Sequence, residues 1–218
     1  MLNYETKPNQ RSPLNRTTNI EIGPLKELLD EIHNCTLCSR ELPLGPNPVI
    51  QANSSAELLI IGQAPGIKVH TSGIPWNDAS GKRLRSWLNI DDASFYNPKN
   101  VAILPMGFCY PGKGKSGDLP PRPECAMTWH NQLISALPNI KLTLLIGQYS
   151  QKYYLSGTKF LEDHRTLTER VRNQEECPAS FFLLPHPSPR NQIWIKRNPW
   201  FETKTLPMLQ QIIATLSF

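Results

Sequence analysis

One histidine in this chain stands on a stretch built to be stiff. In Leu184-Pro185-His186-Pro187-Ser188-Pro189-Arg190-Asn191, prolines flank His186 on both sides. Each proline fixes its own φ and biases the residue before it towards extended geometry. The apolar run Phe181 to Leu184 feeds this loop, so His186 is expected at the end of a buried strand. Ser188, two backbone amides and the cation Arg190 follow. A rigid histidine beside hydroxyl, amide and cation suits a polyanion and polar bond chemistry. The same residues also make an ordinary proline-rich surface turn, so other stretches must decide between the two.

The cysteines are the second candidate group. Cys35 and Cys38 form a CxxC at the end of a helix-patterned segment, which sets two thiolates towards one metal. Taken singly, a CxxC is equally a redox or structural pair. Cys109, Cys125 and Cys177 follow, and for five cysteines in a reducing compartment metal ligation is a better first reading than a disulfide framework, with a structural or exposed thiol left for any that does not ligate. Two further loops carry chemistry. Gly62-Gln63-Ala64-Pro65-Gly66 is a tight turn whose backbone can approach a ligand closely. It lacks the GK[ST] of a P-loop and the spacing of a dinucleotide fingerprint. Gly73-Ile74-Pro75-Trp76-Asn77-Asp78 sets an aromatic among loop formers, which suits a stacking surface. Lys113, Lys115, Ser116 and Asp118 lie in a glycine- and proline-rich loop from Tyr110 to Pro123. His70 reads as a loop histidine, and His130 and His164 as helix-surface or capping residues.

Four short apolar runs position these loops. They are Glu57–Ile61, Val101–Leu104, Leu142–Ile146 and Phe181–Leu184, and each ends in a glycine or proline turn. Helical spacing separates them. Pro24–Asn34 has Leu25, Leu28, Leu29 and Ile32 on one face. Gly81–Leu88 is basic, with Ser80 as its expected N-cap and its cations expected on a solvated face. A helix is expected from Cys125 to about Leu137, a short one after Gly147-Gln148-Tyr149, and a closing one over Pro199–Leu216. Alternating strands and helices predict a three-layer α/β/α fold around a central, mainly parallel four-stranded sheet. In such sheets ligands bind outside the carboxyl ends of the strands, where all four turns converge.

Length and composition set the limits. The 218 residues suit one domain: a flexible tail over residues 1–20 and a single α/β domain over 21–218. Twenty-three Lys and Arg against 18 Asp and Glu give a net charge of +5, which mildly favours a polyanionic partner. No apolar run approaches the roughly 20 residues of a membrane span. The polar N-terminus lacks an apolar secretory core, so a cytoplasmic protein with reduced thiols is expected.

Taken together, the loops resemble the uracil-DNA glycosylase superfamily, and within it the iron–sulfur branch (families 4 and 5). Gly62-Gln63-Ala64-Pro65-Gly66 is similar to that family's first motif. Gly73-Ile74-Pro75-Trp76 is similar to its aromatic-bearing loop, and His186-Pro187-Ser188-Pro189-Arg190 to its histidine motif. The CxxC followed by two distant single cysteines matches its metal pattern. The resemblance runs over about residues 25 to 215. It implies an enzyme that hydrolyses the N-glycosidic bond of uracil or a related damaged base in DNA and leaves an abasic site. The base would be extruded from the duplex into a pocket.

In that reading His186 donates to a carbonyl oxygen of the leaving base, Trp76 stacks on it, and Gly62, Gln63 and Ala64 complete the pocket. Gln63 joins His186 as a catalytic candidate, and Asp118 is the candidate for positioning water or balancing the sugar cation. Asp118 reads equally as a loop-capping residue, and Asn77 and Asp78 are weaker alternatives for the same role. Pro65, Gly66, the Gly147-Gln148 turn, Ser188 and Arg190 contact DNA, with Arg190 filling the vacated stack. Cys35, Cys38, Cys109 and Cys125 hold a [4Fe–4S] cluster, with zinc as the alternative from the thiols alone. The expected partner is DNA with a damaged or deaminated base, bound by a monomer. The chain departs from the family pattern at three positions. Ala64 stands where the classical enzymes carry a water-positioning aspartate, Gln63 where the iron–sulfur relatives usually carry glutamate, and Pro105 where relatives carry the asparagine that reads uracil. Those departures also motivate a second reading, a non-catalytic nucleic-acid or nucleobase-binding protein of the same fold.

Overall fold

The protein is described here as a computed structural model covering residues 25–217. The tail expected over residues 1–20 lies outside the described residues. The first helix, α1 (Leu25–His33), buries Leu28 and Ile32 and so uses the face its spacing marks. A loop then leads to β1 (Leu58–Ile61), α2 (Ile67–Ser72), α3 (Ala79–Leu88), α4 (Asp92–Phe95) and β2 (Val101–Ile103). A small hairpin follows, β3 (Lys113–Gly114) and β4 (Gly117–Asp118). Next come α5 (Pro123–Cys125), a π-helical turn (Ala126–His130) and α6 (Asn131–Ser135). The chain continues through β5 (Leu142–Ile146), α7 (Gln148–Tyr154), α8 (Lys159–Asp163), α9 (Leu167–Arg172) and β6 (Phe181–Leu184). It ends with α10 (Gln192–Arg197), a second π-helical segment (Phe201–Thr205) and α11 (Leu206–Ile213).

The main sheet has the order β2-β1-β5-β6, with every pairing parallel. The expected sheet is present, and the apolar runs explain its centre. All residues of β1 and β5 are buried, as a parallel sheet covered on both faces requires. The β2 edge is covered by an antiparallel bridge: Ile103 N donates to the Gln51 carbonyl (2.7 Å) and Gln51 N to the Ile103 carbonyl (3.0 Å). That pairing leaves less of the edge open to another chain. Among the flanking helices, α1 packs on α6 and α3 on α11. Trp87 and Trp194 pack on Phe201, with ring centroids at 4.9 and 5.5 Å, which anchors the C-terminal segment.

The structure corrects several local expectations. Helix α3 starts at Ala79 with Asp78 as its N-cap, not Ser80; the Asp78 side chain accepts from Gly81 N (2.8 Å). Two of the cations expected on a solvated face are engaged. Arg85 bonds Tyr96 Oη (3.1 Å) and pairs with Asp92 (2.5 Å), while Arg83 reaches the histidine loop. His130 is fully buried rather than on a helix surface. Its Nδ1 pairs with Tyr154 Oη (2.5 Å) and its Nε2 with the Pro105 carbonyl (3.0 Å). Burial lowers its pKa to about 4. Cys177 is buried, so the structural alternative holds for it. Among the described residues no helix is long and apolar enough to cross a membrane.

Candidate active site

A cleft of about 480 Å³ opens at the carboxyl ends of the strands. The turn after β1 supplies Gly62, Gln63, Ala64, Pro65 and Gly66. The loop before α3 supplies Trp76 and Asp78, the hairpin supplies Asp118, and the loop after β6 supplies His186, Ser188 and Arg190. Residues distant in sequence thus meet because parallel strands direct their loops to one end. Gly147 and Gln148 do not line the cleft. Gly147 adopts φ +83° behind the histidine, and a Cβ there would stand 3.9 Å from that of His186.

His186 is held by its own loop. Its Nδ1 accepts the Ser188 amide (3.2 Å), so the neutral ring carries its proton on Nε2. Asn191 Nδ2 donates to the His186 carbonyl (2.7 Å), and Arg83 Nη1 donates to the Ser188 carbonyl (3.1 Å). Burial pushes the imidazole pKa down, while the Asp78 carboxylate pulls the other way. Burial is the larger effect, so the neutral donor form is favoured.

Trp76 lies beside His186, with ring centroids 5.6 Å apart. Its backbone has φ +55°, a left-handed conformation that costs a non-glycine residue about 1–2 kcal/mol. Two glycines make room for it. A Cβ on Gly62 would fall 2.9 Å from the indole, and one on Gly81 would fall 1.7 Å from the Trp76 carbonyl oxygen. That carbonyl also accepts from Tyr96 Oη (3.4 Å) and Arg85 Nη1 (3.5 Å).

The hairpin forms the opposite wall. Arg190 Nη1 donates to the Ser116 carbonyl (2.9 Å), and Gln63 Nε2 donates to that of Leu119 (3.3 Å). Asp118 Oδ2 stands 3.4 Å from where a Cβ on Gly66 would be. Partial desolvation raises the Asp118 pKa, against the smaller opposing pull of Arg190 and Lys113. Among the described residues, the backbone amides of Gln63 and Ala64 have no protein acceptor. They remain available to a ligand in the cleft. Pro105 gives the cleft an apolar wall, and its carbonyl is occupied by His130.

Several residues of this site escaped sequence reasoning. Arg83 and Asn191 brace the histidine loop, and Ser80, Ser116 and Gly117 line the cleft. Asp78 carried a signal, since an aspartate three residues before Gly81 is a standard capping pattern. Arg83 carried none, because its contact spans 105 residues.

A second, smaller cavity is lined by Cys35, Cys38, Cys109 and Cys125, together with Arg122, Leu42, Pro48, Gly107 and Phe108. The structure therefore brings the four sequence-selected thiols to one place. Phe108 N donates to Cys125 Sγ (3.4 Å). Among the described residues no three His, Cys, Asp or Glu side chains are grouped as a single metal ion requires. Burial raises the Cys38 and Cys109 thiols and pushes Cys125 up to about 12. Apolar surroundings of this kind disfavour bare thiolates, and a cationic group is what would stabilise them. The donor set, four sulfurs around one space with no carboxylate, fits an iron–sulfur cluster by its chemistry.

The family model for the uracil DNA glycosylase superfamily matches residues 50–210, a span that holds every cleft residue but Val49 and leaves Cys35 and Cys38 outside it.

Proposed function

The chain belongs to the uracil DNA glycosylase superfamily, and from that premise we propose that it hydrolyses the N-glycosidic bond of uracil or a related damaged base in DNA. The products are the free base and an abasic site, and the protein acts in the cytoplasm as a monomer. The observation that carries this reading is His186, a half-buried imidazole on a braced loop, its pKa lowered towards the neutral form, with Nε2–H available in a cleft beside Trp76.

In the proposed reaction the target base is flipped out of the duplex and stacks on Trp76. The bond between C1′ and the base nitrogen breaks, and its electron pair leaves with the base. Nε2–H of His186 donates to the carbonyl oxygen where that negative charge develops. The unengaged amides of Gln63 and Ala64 are further donors. A preorganised donor of this kind contributes about 2.7–4 kcal/mol to transition-state stabilisation. The sugar becomes an oxocarbenium-like cation, which the Asp118 carboxylate balances while it orients the attacking water. Water oxygen bonds to C1′, and the proton it releases ends on the base. Gly62 lets the indole lie close, Pro65 and Gly66 set the turn, and Ser188 and Arg190 address phosphates and the vacated stack. Gly147 and Gln148 back the histidine loop and extend the phosphate-facing edge.

These donors suit a base with a carbonyl oxygen that gains negative charge as the bond breaks. Pro105 supplies no side-chain hydrogen bond, so this wall selects by shape alone. Cys35, Cys38, Cys109 and Cys125 hold a [4Fe–4S] cluster in the proposal. What supports it is four thiols lining one cavity with no nitrogen or carboxylate ligand among them, with zinc as the alternative. When bound, the cluster ties the end of α1 to the loops around Cys109 and Cys125 and takes no part in bond cleavage.

The test is a panel of single- and double-stranded oligonucleotides carrying uracil, hypoxanthine or an oxidised pyrimidine, incubated with folded, metal-loaded protein and then cleaved with alkali. Strand breaks at one or more lesions are expected. Salt-dependent binding without any base release would instead favour the non-catalytic reading that Pro105 and Ala64 motivate.

A further inference from the structure

Among the described residues, Arg122 is the one charged side chain lining the cysteine cavity. It sits in the run Pro120-Pro121-Arg122-Pro123, where prolines on both sides stiffen the backbone. Arg122 itself is extended, at φ −66° and ψ 121°. A Cβ on Gly107 would come within 3.2 Å of Arg122 N, so the segment is pressed against the loop that leads to Cys109. The guanidinium lines the same cavity as the Cys38 sulfur. Its Nη2 pairs with Glu124 Oε1 (2.5 Å), one residue before Cys125.

Two atoms of this arrangement have no partner. Arg122 Nε and Glu124 Oε2 are both buried without a hydrogen bond. The two side chains are otherwise part-exposed, at 32% and 43%, so it is these single atoms that call for an explanation. A guanidinium with a spare N–H beside four thiols has a direct one. Arginine binds anions through a planar fork of donors and keeps its charge under all ordinary conditions. Four thiolates around one cluster would leave net negative charge in a poorly solvated space, and among the described residues no other cation lines it.

We propose that Arg122, held by Glu124, donates to the sulfurs of the group bound by the four cysteines and supplies the positive charge that this buried anionic site lacks. The inference rests on the cluster reading given above. Arg122 is a tuning residue and touches neither DNA nor the reacting base. Its charge favours the reduced state of a cluster, which carries one more negative charge than the oxidised state. Its hydrogen bond slows cluster loss. Glu124 opposes both effects electrostatically while it fixes the guanidinium.

The experiment uses full-length protein purified without oxygen. Iron and sulfide are counted, the midpoint potential is followed by visible absorbance, and cluster loss to a chelator is timed. Arg122→Gln is expected to lower the potential and to lose its cluster several-fold faster than the unaltered protein. Glu124→Gln is expected to move the potential the other way. Folded Arg122→Gln that retains no iron also supports the proposal. If Arg122→Gln does not fold, Arg122→Lys, which keeps the charge but loses the fork of donors, decides: faster cluster loss supports the proposal, and an unchanged potential and lifetime overturn it. Unaltered protein with no iron would overturn the cluster reading and this inference with it. A normal cluster whose potential and lifetime ignore both substitutions would overturn the role of Arg122 alone.

Discussion

His186 acts, in this account, through one proton on one nitrogen. The Ser188 amide on Nδ1 fixes that proton on Nε2, and burial keeps the ring neutral below the ordinary histidine value of 6.5. The direction sets the pH behaviour. Because the pKa is lowered, the donor ring becomes charged at a lower pH than an ordinary histidine. Asp118 moves the opposite way, raised above the ordinary 3.8 by desolvation. Its carboxylate is therefore protonated earlier, as pH falls, than an ordinary aspartate, and should contribute to the acid limb of kcat. Asp118→Asn should slow base release and change the acid limb of a pH–rate profile; an unchanged rate and an unchanged limb together would remove Asp118 from the mechanism. His186 was legible in the sequence because two prolines mark it as rigid. Its tautomer was not, since that depends on the loop folding back to place Ser188 N against the ring. The buried state of His130 was equally hidden, because Tyr154 and the Pro105 carbonyl reach it only after packing.

At the scale of elements, α3 connects the two halves of the cleft. Its cap, Asp78, faces His186, its second turn carries Arg83 to the Ser188 carbonyl, and Gly81 lets the Trp76 carbonyl approach. Arg83→Ala should lower kcat more than it raises KM, with a small change in Tm, because it loosens the histidine loop rather than the core. Steady-state kinetics with an active lesion substrate checks this. Gly81→Ala is harsher. Its Cβ would lie 1.7 Å from the Trp76 oxygen, so the backbone must shift. A loss of about 1–3 kcal/mol or more is expected from such overpacking, read as a lower denaturation midpoint. The sequence marked α3 as a basic helix but not its contacts, since an arginine on a solvated face and one bracing a distant loop have the same local pattern. The hairpin of β3 and β4 was invisible for another reason. Two-residue strands rich in Gly and Lys carry no period-two alternation.

Over the whole molecule, four apolar runs made the parallel sheet legible, while the order β2-β1-β5-β6 depends on crossovers that no single run encodes. The charge balance was legible too, and it carries a prediction. Lys113 and Lys115 are exposed on the hairpin at the mouth of the cleft. If each meets a phosphate, Lys113→Ala and Lys115→Ala should each weaken DNA binding and reduce the slope of log affinity against log salt by about 1. Global stability should also depend on pH through His130. Its folded pKa, about 4, lies below the ordinary 6.5, so its neutral form stabilises the fold above 6.5. That contribution, on the order of 3 kcal/mol, is lost as pH falls from 6.5 to 4. Urea unfolding across that range measures it. The most direct test of the central claim is single-turnover base release from a lesion oligonucleotide, with the liberated base identified by mass spectrometry. The unaltered protein should release free base and leave an abasic strand. His186→Ala, folded and binding the same DNA, should be slower by roughly 10²–10³-fold. Release by His186→Ala at the unaltered rate would contradict the account.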